Sequence, residues 1–352
     1  MICNSAKMGL IPQRDYFDKD IANSDNTSGY YIIEHNDFVY NPRKSSDAPY
    51  GPISRYAYPD AGIVSPLYLC FRAKGDVDTN FFEWYFRSSA WHRYIYMTGD
   101  SGARHDRVSI KDDDFFSMPI RFPSSIEQKK IASFLNAIER RISSQQLLVD
   151  NLKKYKRGLL SNLFGEKITQ GCTTKSYYFS EIAQRRSEKY DPSSGIEYPC
   201  VELENIEQET GKILATVPST AQSSIKNIAM PGDTLFGKLR PYLRKYAFAK
   251  KTMACSSEIW ALIPSDVVLP KFLFYLVQTE HFLRVANISS GTKMPRAEWS
   301  NIEKAEFFIP DFSVQRKVVS LLEGLDQKIT FADSTLLSLN RLKASLLQHL
   351  FI

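Results

Sequence analysis

Cysteine is scarce in this chain, and long apolar runs are absent. Five cysteines are scattered over 352 residues without a C-x-x-C pair, so the sequence indicates neither a disulfide framework nor a zinc site. No apolar run approaches the roughly 18 residues that a membrane span requires. The N-terminus also lacks the basic start and apolar stretch of a signal peptide. We therefore expect a protein of the reducing cytoplasm that does not enter a membrane.

The motifs of common enzymes are missing as well. Gly232, Gly237 and Lys238 have the spacing of a phosphate-binding loop, but Leu239 stands where Ser or Thr is needed. Pro241 would also block the helix that should follow such a loop. The five histidines have no metal-ligand spacing, and no serine lies in a G-x-S-x-G pattern. The sequence thus favours a non-catalytic protein with no cofactor or metal of its own.

The length and net charge of the chain constrain its domain number and its possible partners only broadly. A chain of 352 residues is too long for one ordinary core and fits about two domains with connectors. Its composition, 43% hydrophobic and 24% charged, is normal for a globular protein. The net charge of +6 is mildly basic, which admits nucleic acid as a partner without requiring it.

A long internal repeat is the most informative positive feature. Residues 123–164 align with residues 310–351 without a gap at a constant offset of 187 positions, so that Gln128 corresponds to Gln315. Each copy follows a proline and has no internal proline, as expected for one uninterrupted helix. The sequence therefore predicts two similar long helices, each following a different globular segment.

Apolar residues recur every seven positions along two seams in both copies, which is the pattern of a coiled coil. Because the copies share one self-complementary pattern, we expect them to pair with each other, antiparallel, with a globular domain at either end. The predicted seam residues are Ile131, Leu135, Ile138, Ile142, Val149, Leu152, Lys156, Leu159, Leu163, Val318, Leu322, Leu325, Ile329, Leu336, Leu339, Lys343, Leu346 and Leu350.

Lys156 and Lys343 occupy the same seam position in the two copies. In one interpretation their methylene stems pack in the seam while the ammonium groups reach water. In the other, the two lysines fix the helix register or bind an acidic partner.

The two globular segments have the same order of turns, β-prone runs and helices, although their sequences are dissimilar. Each has a turn with an aspartate before a β-prone run, Asp37 in one and Asp233 in the other, and later an aromatic amphipathic helix. We therefore predict an α+β fold built as a pseudo-two-fold tandem repeat. Its predicted parts are a first mixed α/β domain (1–122), a first helix (123–165), a linker (166–176), a second mixed α/β domain (177–309) and a second helix (310–352).

The first domain is expected to be shorter than the second. Asp233 lies 56 residues after Tyr177, whereas only 36 residues precede Asp37. We therefore expect the first domain to lack about 20 N-terminal residues relative to the second, including any counterpart of the segment that contains Phe179 and Ile182. A late start, a truncation and a real deletion would look the same in the sequence.

Basic and aromatic residues cluster at matching places in the two domains, where they offer donors for phosphates and guanine edges. Glycine-containing loops next to these clusters would let backbone approach a phosphate. The candidate DNA-binding residues are Arg14, Asn41, Arg43, Lys44, Arg55, Arg104, Arg107, Lys238, Arg240, Tyr242, Arg244, Lys293 and Arg296.

The chain resembles the specificity (S) subunits of Type I restriction-modification systems over nearly its full length. The strings that carry the resemblance are PSSIEQKKIASFL at 123–135, KRGLLSNLF at 156–164, GDTLFGKLRPY at 232–242 and GLIPQRD at 9–15. The first two resemble the spacer helices of this family, and the others resemble its target-recognition domains.

The resemblance implies that each target-recognition domain reads half of a split site on double-stranded DNA, and that the helix pair sets the gap. It also implies two methyltransferase subunits that bind S-adenosylmethionine, and restriction subunits that use ATP and Mg²⁺. Two alternatives stay open: a specificity subunit of a fused nuclease-methyltransferase system, and a coiled-coil scaffold that binds proteins. DNA affinity that falls steeply with salt would favour recognition over the scaffold.

Overall fold

The computed structural model describes residues 1–16, 27–100, 106–165, 174–288 and 294–351. The chain forms two compact units: Met1–Leu147 with Asp333–Ile352, and Leu148–Ala332. Each unit thus contains one globular domain, part of the first long helix and part of the second. The predicted α+β fold with two long helices is confirmed. Within the described ranges no helix is long and apolar enough to span a bilayer.

The helices are α1 Gln13–Tyr16, α2 Thr79–Arg87, α3 His92–Thr98, α4 Asp112–Phe116, α5 Ser125–Leu163, α6 Phe179–Ile182, α7 Pro270–Leu276, α8 Glu280–Ala286, α9 Trp299–Ile302 and α10 Phe312–Leu350. The strands of the first unit are β1 Ile2–Ser5, β2 Gly9–Pro12, β3 Tyr31–Ile33, β4 Phe38–Tyr40, β5 Ile53–Arg55, β6 Gly62–Val64 and β7 Leu69–Phe71. Those of the second unit are β8 Thr174–Tyr178, β9 Ala183–Arg185, β10 Lys189–Tyr190, β11 Pro199–Val201, β12 Val217–Pro218, β13 Lys226–Ala229, β14 Thr234–Gly237, β15 Tyr246–Phe248, β16 Met253–Cys255, β17 Ile259–Pro264 and β18 Glu306–Pro310.

Side-chain caps define where both long helices begin. At the start of α5, Glu127 accepts the Ser124 N–H at 3.0 Å, and the Ser124 hydroxyl lies 3.4 Å from the Glu127 N–H. At the start of α10, one Asp311 carboxylate oxygen accepts the N–H groups of Ser313 at 2.8 Å and Val314 at 3.0 Å. These acceptors satisfy N–H groups that have no partner inside the helix.

The second unit packs α7 and α8 against a four-stranded antiparallel sheet of order β15-β14-β17-β9. A five-stranded sheet of order β10-β13-β16-β11-β12 completes the domain. β8 pairs with β18, with Thr174 opposite Pro310. Residues 174–176, expected in the linker, therefore belong to a strand. Sequence periodicity missed this strand because only the distant partner β18 stabilises it.

The first unit repeats part of this plan. Its main sheet has the order β5-β4-β7, and β4 and β7 correspond to β14 and β17. The aromatic helix α2 packs its buried face on this sheet, as α7 does in the second unit. Among the described residues β9 has no counterpart in this sheet.

The two long helices run antiparallel, as predicted, and this is visible within each unit. In the first unit Ile131 and Leu135, near the start of α5, share a cluster with Leu346 and Leu347, near the end of α10. In the second unit the pairing is reversed. Leu160, near the end of α5, belongs to the same cluster as residues from the first half of α10.

The predicted seam residues differ in depth. One group is buried, a second is half-buried, and Leu350 is exposed. The buried members are Leu135, Ile138, Val149, Lys156, Val318, Leu322, Leu325 and Ile329, and the half-buried ones are Ile131, Ile142, Leu152, Leu159, Leu163, Leu336, Leu339, Lys343 and Leu346.

The two seam lysines form repeat-related ion pairs. In the second unit the Lys156 ammonium lies 2.8 Å from the Asp326 carboxylate. In the first unit the Lys343 ammonium lies 2.9 Å from the Glu139 carboxylate. Because Glu139 corresponds to Asp326 at the 187-residue offset, the same contact is made once in each unit. Both lysines therefore bind acidic partners on the opposite helix, a role that suits the fixing of register.

A glutamine shared by the two copies of the repeat links each long helix to its domain. The Gln315 side chain accepts the Leu269 N–H at 2.8 Å, and it donates to Pro310 O and Val267 O at 2.9 Å each. Gln128 makes the equivalent bonds to Asp78 N at 2.9 Å and Pro123 O at 3.0 Å. Each glutamine thus joins the start of a long helix to the residue that immediately precedes the aromatic helix.

Candidate nucleic-acid interface

Two basic segments that are far apart in sequence lie side by side in the second unit. The segment after β14 and the segment before α9 meet at an isolated antiparallel bridge between Leu239 and Arg296. On either side of the bridge, the Arg240 N–H donates to Pro295 O at 2.8 Å and the Ala297 N–H donates to Lys238 O at 2.8 Å. We call residues 238–240 with 295–297 the second basic clasp.

The first unit contains the same arrangement. An isolated antiparallel bridge joins Arg43 to Arg107. Beside it, the Lys44 N–H donates to Asp106 O at 2.8 Å, and the Val108 N–H donates to Pro42 O at 2.9 Å. We call residues 42–44 with 106–108 the first basic clasp. Sequence inspection predicted that both halves carry such segments, and the fold brings the two segments of each unit together.

The backbone of the second basic clasp is held in an unusual conformation. Arg240 and Arg244 both have φ of +51°, on either side of a short 3₁₀ turn at Pro241–Leu243. A non-glycine residue in the left-handed region costs about 1 kcal/mol or more. Pro241 is buried and anchors the turn, while the Tyr242 ring projects from it with 53% of its surface exposed. The turn therefore presents an aromatic side chain beside the clasp.

Two candidate cations remain available for a ligand. The side chains of Arg43 and Arg240 are exposed, and neither guanidinium forms an ion pair within the described part of the chain. Lys44 and Lys238 lie beside them and are half-buried. These four cations place positive charge on each clasp, while the first clasp also contains Asp106 and Arg296 of the second is paired with Glu258.

Other candidate arginines are engaged inside the protein. The Arg55 guanidinium donates to Glu83 at 2.7 Å, Asn36 at 2.8 Å and Asn80 at 3.0 Å. These bonds use its donors to fix α2 on the sheet. This placement favours a structural role for Arg55.

Arg244 and Arg296 are also paired. Arg244 donates to both carboxylate oxygens of Glu280, at 2.7 and 3.1 Å. Arg296 donates to Glu258 at 3.0 Å, and this bond raises the pKa of its guanidinium. Either side chain would have to exchange a carboxylate for a phosphate before it could bind DNA. The two ion pairs therefore favour a structural role, in which Arg244 and Arg296 support the clasp.

The remaining candidates are less uniform. The Nε of Arg107 is buried without a hydrogen-bond partner among the described residues, an arrangement that costs about 1–3 kcal/mol unless a ligand supplies an acceptor. Asn41 is half-buried, and its amide donates to Asn4 O at 3.1 Å. Arg14 is an exposed residue of α1. Arg104 and Lys293 lie outside the described residues.

A groove beside the second basic clasp was not predicted. Its cavity volume is about 600 Å³, and Lys238 lines it together with Lys189 and Arg185. The Arg185 guanidinium lies 5.8 Å from the ring centre of Trp260 and 4.8 Å from that of Trp299. Arginine over an aromatic face is held by cation–π attraction. These residues come from three distant stretches of sequence, so no local pattern could have revealed the groove.

The phosphate-loop interpretation is excluded by the fold. Gly237 ends strand β14 and is followed by the clasp and by the short 3₁₀ turn at Pro241–Leu243, so the α-helix that must directly follow a phosphate-binding loop is not formed there. Asp233 serves the turn itself, since its carboxylate accepts the Met230 N–H at 2.8 Å. No cluster of potential metal ligands occurs in the ranges that the structure describes.

The fold and the paired clasps define a class: a tandem-repeat α+β protein whose two long helices pair antiparallel and whose domains carry matching basic faces. Residues 179–341 match the family model described as the Type I restriction modification DNA specificity domain. The match covers the second domain and most of the second helix, and the resemblance predicted from the sequence is confirmed.

A known specificity subunit is also similar to this chain in sequence. The chain is 26% identical over 198 residues to the specificity subunit of the Type I restriction enzyme HindI from Haemophilus influenzae. That alignment covers 51% of this chain but only 40% of the length of that subunit.

Solved structures share the fold. A chain from a type I R-M system, studied for its complex assembly and conformational transition, is 18% identical with a TM-score of 0.59, over 92% of this chain and 84% of that one. The S subunit of a Type I restriction-modification system from M. genitalium is 16% identical with a TM-score of 0.51, over 95% of this chain and 87% of that one.

Proposed function

We propose that this chain is the DNA-specificity subunit of a Type I restriction-modification complex and that each basic clasp contacts one half of a bipartite site. The repetition of the clasp carries the proposal, since both units hold it with equivalent backbone bonds. A repeated, cation-bearing surface suits a ligand such as duplex DNA, which presents phosphates and base edges again after each helical turn. The similarity to relatives that are named as specificity subunits supports the same function.

Arg43 and Arg240 are the residues assigned to the duplex in this proposal, each in its own half-site. Both have exposed guanidinium groups without a carboxylate partner among the described residues. A guanidinium can form paired hydrogen bonds to guanine or to phosphate. The exposed Tyr242 ring would pack against the backbone sugar or a base edge.

The chain itself carries out no chemistry in this proposal. Methylation would come from two methyltransferase subunits that bind S-adenosylmethionine, and cleavage from restriction subunits that use ATP and Mg²⁺. The specificity subunit would place these partners on the chosen sequence. Its paired helices would hold the two recognition domains at a fixed interval, so that the length of the helix pair sets the gap between half-sites.

Substitution of single arginines tests the assignment. The chain is purified with its methyltransferase subunits, and the methylated positions on genomic DNA are mapped for the wild type, Arg43→Ala and Arg240→Ala. We expect each variant to lose or relax one half-site while the other stays unchanged, with DNA affinity about 5- to 150-fold weaker. Lys304→Ala, an exposed cation outside the clasps, is the matched control. Loss of both half-sites from one substitution, or of neither from both, contradicts the assignment.

Matched insertions test the role of the helices. Seven residues are inserted after Gln146 and seven after Asp333, positions related by the repeat offset. Seven residues preserve the seam and lengthen each helix by about 10 Å, or about three base pairs. We expect the same half-sites with a wider gap. An unchanged gap in a folded, active complex would refute the spacer role. Salt-insensitive binding of proteins, without DNA affinity that falls steeply with salt, would favour the scaffold.

A further inference from the structure

The groove beside the second basic clasp holds an arginine whose hydrogen-bond donors are unused. Arg185 lies on strand β9 opposite Leu262, so its side chain shares a face of the sheet with Leu262 and with Trp260 two residues earlier. Arg185 is exposed, and its side chain forms no ion pair or hydrogen bond among the described residues. The contacts that orient its guanidinium are therefore those with the aromatic rings of the groove.

Two tryptophans form a wall behind this guanidinium. The rings of Trp260 and Trp299 pack edge to face, with centres 5.6 Å apart and planes at 86°. Trp260 is 7% exposed, and the Trp299 ring packs against the fully buried Phe179 with ring centres 5.9 Å apart. Both rings are therefore anchored in the core. A guanidinium whose face rests on such a wall keeps its N–H groups around its edge, where a ligand can reach them.

Three further cations line the groove, and a carboxylate neutralises one of them. Arg186 binds the buried Asp233 carboxylate at 2.6 Å. The Lys189 ammonium donates to the Asn227 side-chain oxygen at 2.6 Å, a neutral partner that takes one of its three N–H groups. Lys238 forms no ion pair within the described part of the chain. Because no aspartate or glutamate is among the described residues that line the groove, its walls carry a surplus of positive charge.

Lys238 belongs both to the groove and to the second basic clasp. Its carbonyl accepts the Ala297 N–H at 2.8 Å, and its own N–H donates to Glu258 O at 2.9 Å. The groove therefore lies next to the surface from which Arg240 is assigned to the second half-site. Its cavity volume of about 600 Å³ is larger than a single small anion needs, and it suits a stretch of sugar-phosphate backbone.

We propose that this groove binds the phosphate backbone of one DNA strand beside the second half-site, with Arg185 as the main phosphate contact and Trp299 as the residue that positions it. The inference rests on the proposed function, since the shared Lys238 connects the groove to the DNA-binding clasp. Lys189 and Lys238 add point charges beside the same strand. Backbone contacts fix the register in which base-reading side chains meet the duplex. The groove thus holds the strand while Arg240 contacts the bases.

Neutralised phosphates test this contact directly. The chain, purified with its methyltransferase subunits, is titrated with duplexes that carry the site mapped for the wild type. Each duplex has one methylphosphonate in place of a backbone phosphate, and Kd is measured by fluorescence anisotropy. We expect one or two adjacent methylphosphonates, beside the half-site that Arg240→Ala alters, to weaken wild-type binding about tenfold.

The variant Arg185→Gln should bind the unmodified duplex about tenfold more weakly and lose its sensitivity at those same positions. The slope of log affinity against log salt should become shallower by about 1. Arg284→Gln removes an exposed arginine of the same unit outside the groove, and this matched control should keep the wild-type pattern.

Two variants of Trp299 separate positioning from a loss of fold. Trp299→Phe keeps an aromatic face for the guanidinium and should retain the wild-type phosphate sensitivity. Trp299→Leu should lose that sensitivity as Arg185→Gln does, while Arg240 still selects its half-site. A Trp299→Leu variant with full phosphate sensitivity overturns the positioning role.

The outcomes distinguish this inference from the proposed function. If Arg185→Gln keeps the wild-type sensitivity to every methylphosphonate while Arg240→Ala still alters one half-site, the groove inference fails and the proposed function stands. Relaxed base preference in Arg185→Gln, with phosphate sensitivity unchanged, assigns Arg185 to a base and also overturns the inference. A wild-type complex without salt-dependent affinity for DNA overturns both.

Discussion

The ion pair between Lys156 and Asp326 should stabilise the protein far more than its repeat-related counterpart. The Lys156 side chain is 8% exposed, and its ammonium lies 2.8 Å from Asp326 and 5.5 Å from the Tyr275 ring centre. The Tyr275 hydroxyl donates to the same carboxylate at 2.9 Å. Lys343 and Glu139 form the same contact with side chains that are 26% and 36% exposed.

Replacement of each lysine by methionine exploits this difference. In Lys156→Met the apolar stem is kept, but Asp326 loses its cation in a partly buried site. Breaking a fully buried pair costs about 3–5 kcal/mol, and because Asp326 is 31% exposed we expect about 2–3 kcal/mol. Lys343→Met leaves a carboxylate that water can reach, and we expect about 0.5–1 kcal/mol.

Urea unfolding followed by circular dichroism measures both costs. A double-mutant cycle of Lys156→Met with Asp326→Leu isolates the coupling, since the double variant leaves no unpaired charge. We expect it to recover most of the loss, and the cycle of Lys343→Met with Glu139→Leu to show little coupling. Equal costs for the two lysine substitutions would refute the argument that burial decides the strength of these pairs.

Three further outcomes follow from single side chains. Gln315→Leu should cost about 2–4 kcal/mol in thermal or urea unfolding, because three buried or partly buried backbone groups lose their partner. Gln128→Leu should cost less, because Gln128 makes two such bonds, and the opposite order would contradict this reasoning. The hydrogen bonds from Ser313 and Val314 lower the pKa of Asp311 below its ordinary value of 3.8. The ionised carboxylate therefore stabilises the folded state at pH values above 3.8. This contribution is lost as the pH falls through the lower pKa of the folded state. The stability difference between wild type and Asp311→Asn should therefore shrink between pH 6 and pH 3. Burial lowers the pKa of His92, so wild type should lose stability relative to His92→Phe as pH falls below 6.5, and parallel pH profiles would count against this.

Much of the architecture could be predicted from the sequence. The 187-residue offset, the seven-residue apolar spacing and the prolines before each copy are properties of neighbouring residues, and they determined the two long helices and their antiparallel pairing. The turn aspartates Asp37 and Asp233 marked equivalent points of the two domains. Such features are readable because helix periodicity and turn chemistry depend on residues close in the chain.

The candidate interface could be predicted only in outline. The sequence placed basic residues in both domains, but it could not show that Arg55 and Arg244 are bound to acidic and amide groups while Arg43 and Arg240 are not. It also gave no sign of the tryptophan-walled groove around Arg185.

The sequence by itself thus determined the repeat, the helix pair and the presence of two related domains. Only the tertiary structure decided which cations face outward and which seam lysine is deeply paired. The physical reason is that burial and side-chain pairing depend on residues far apart in the chain. Leu239 and Arg296 meet at a bridge, as do Arg43 and Arg107, only after the sheets have formed.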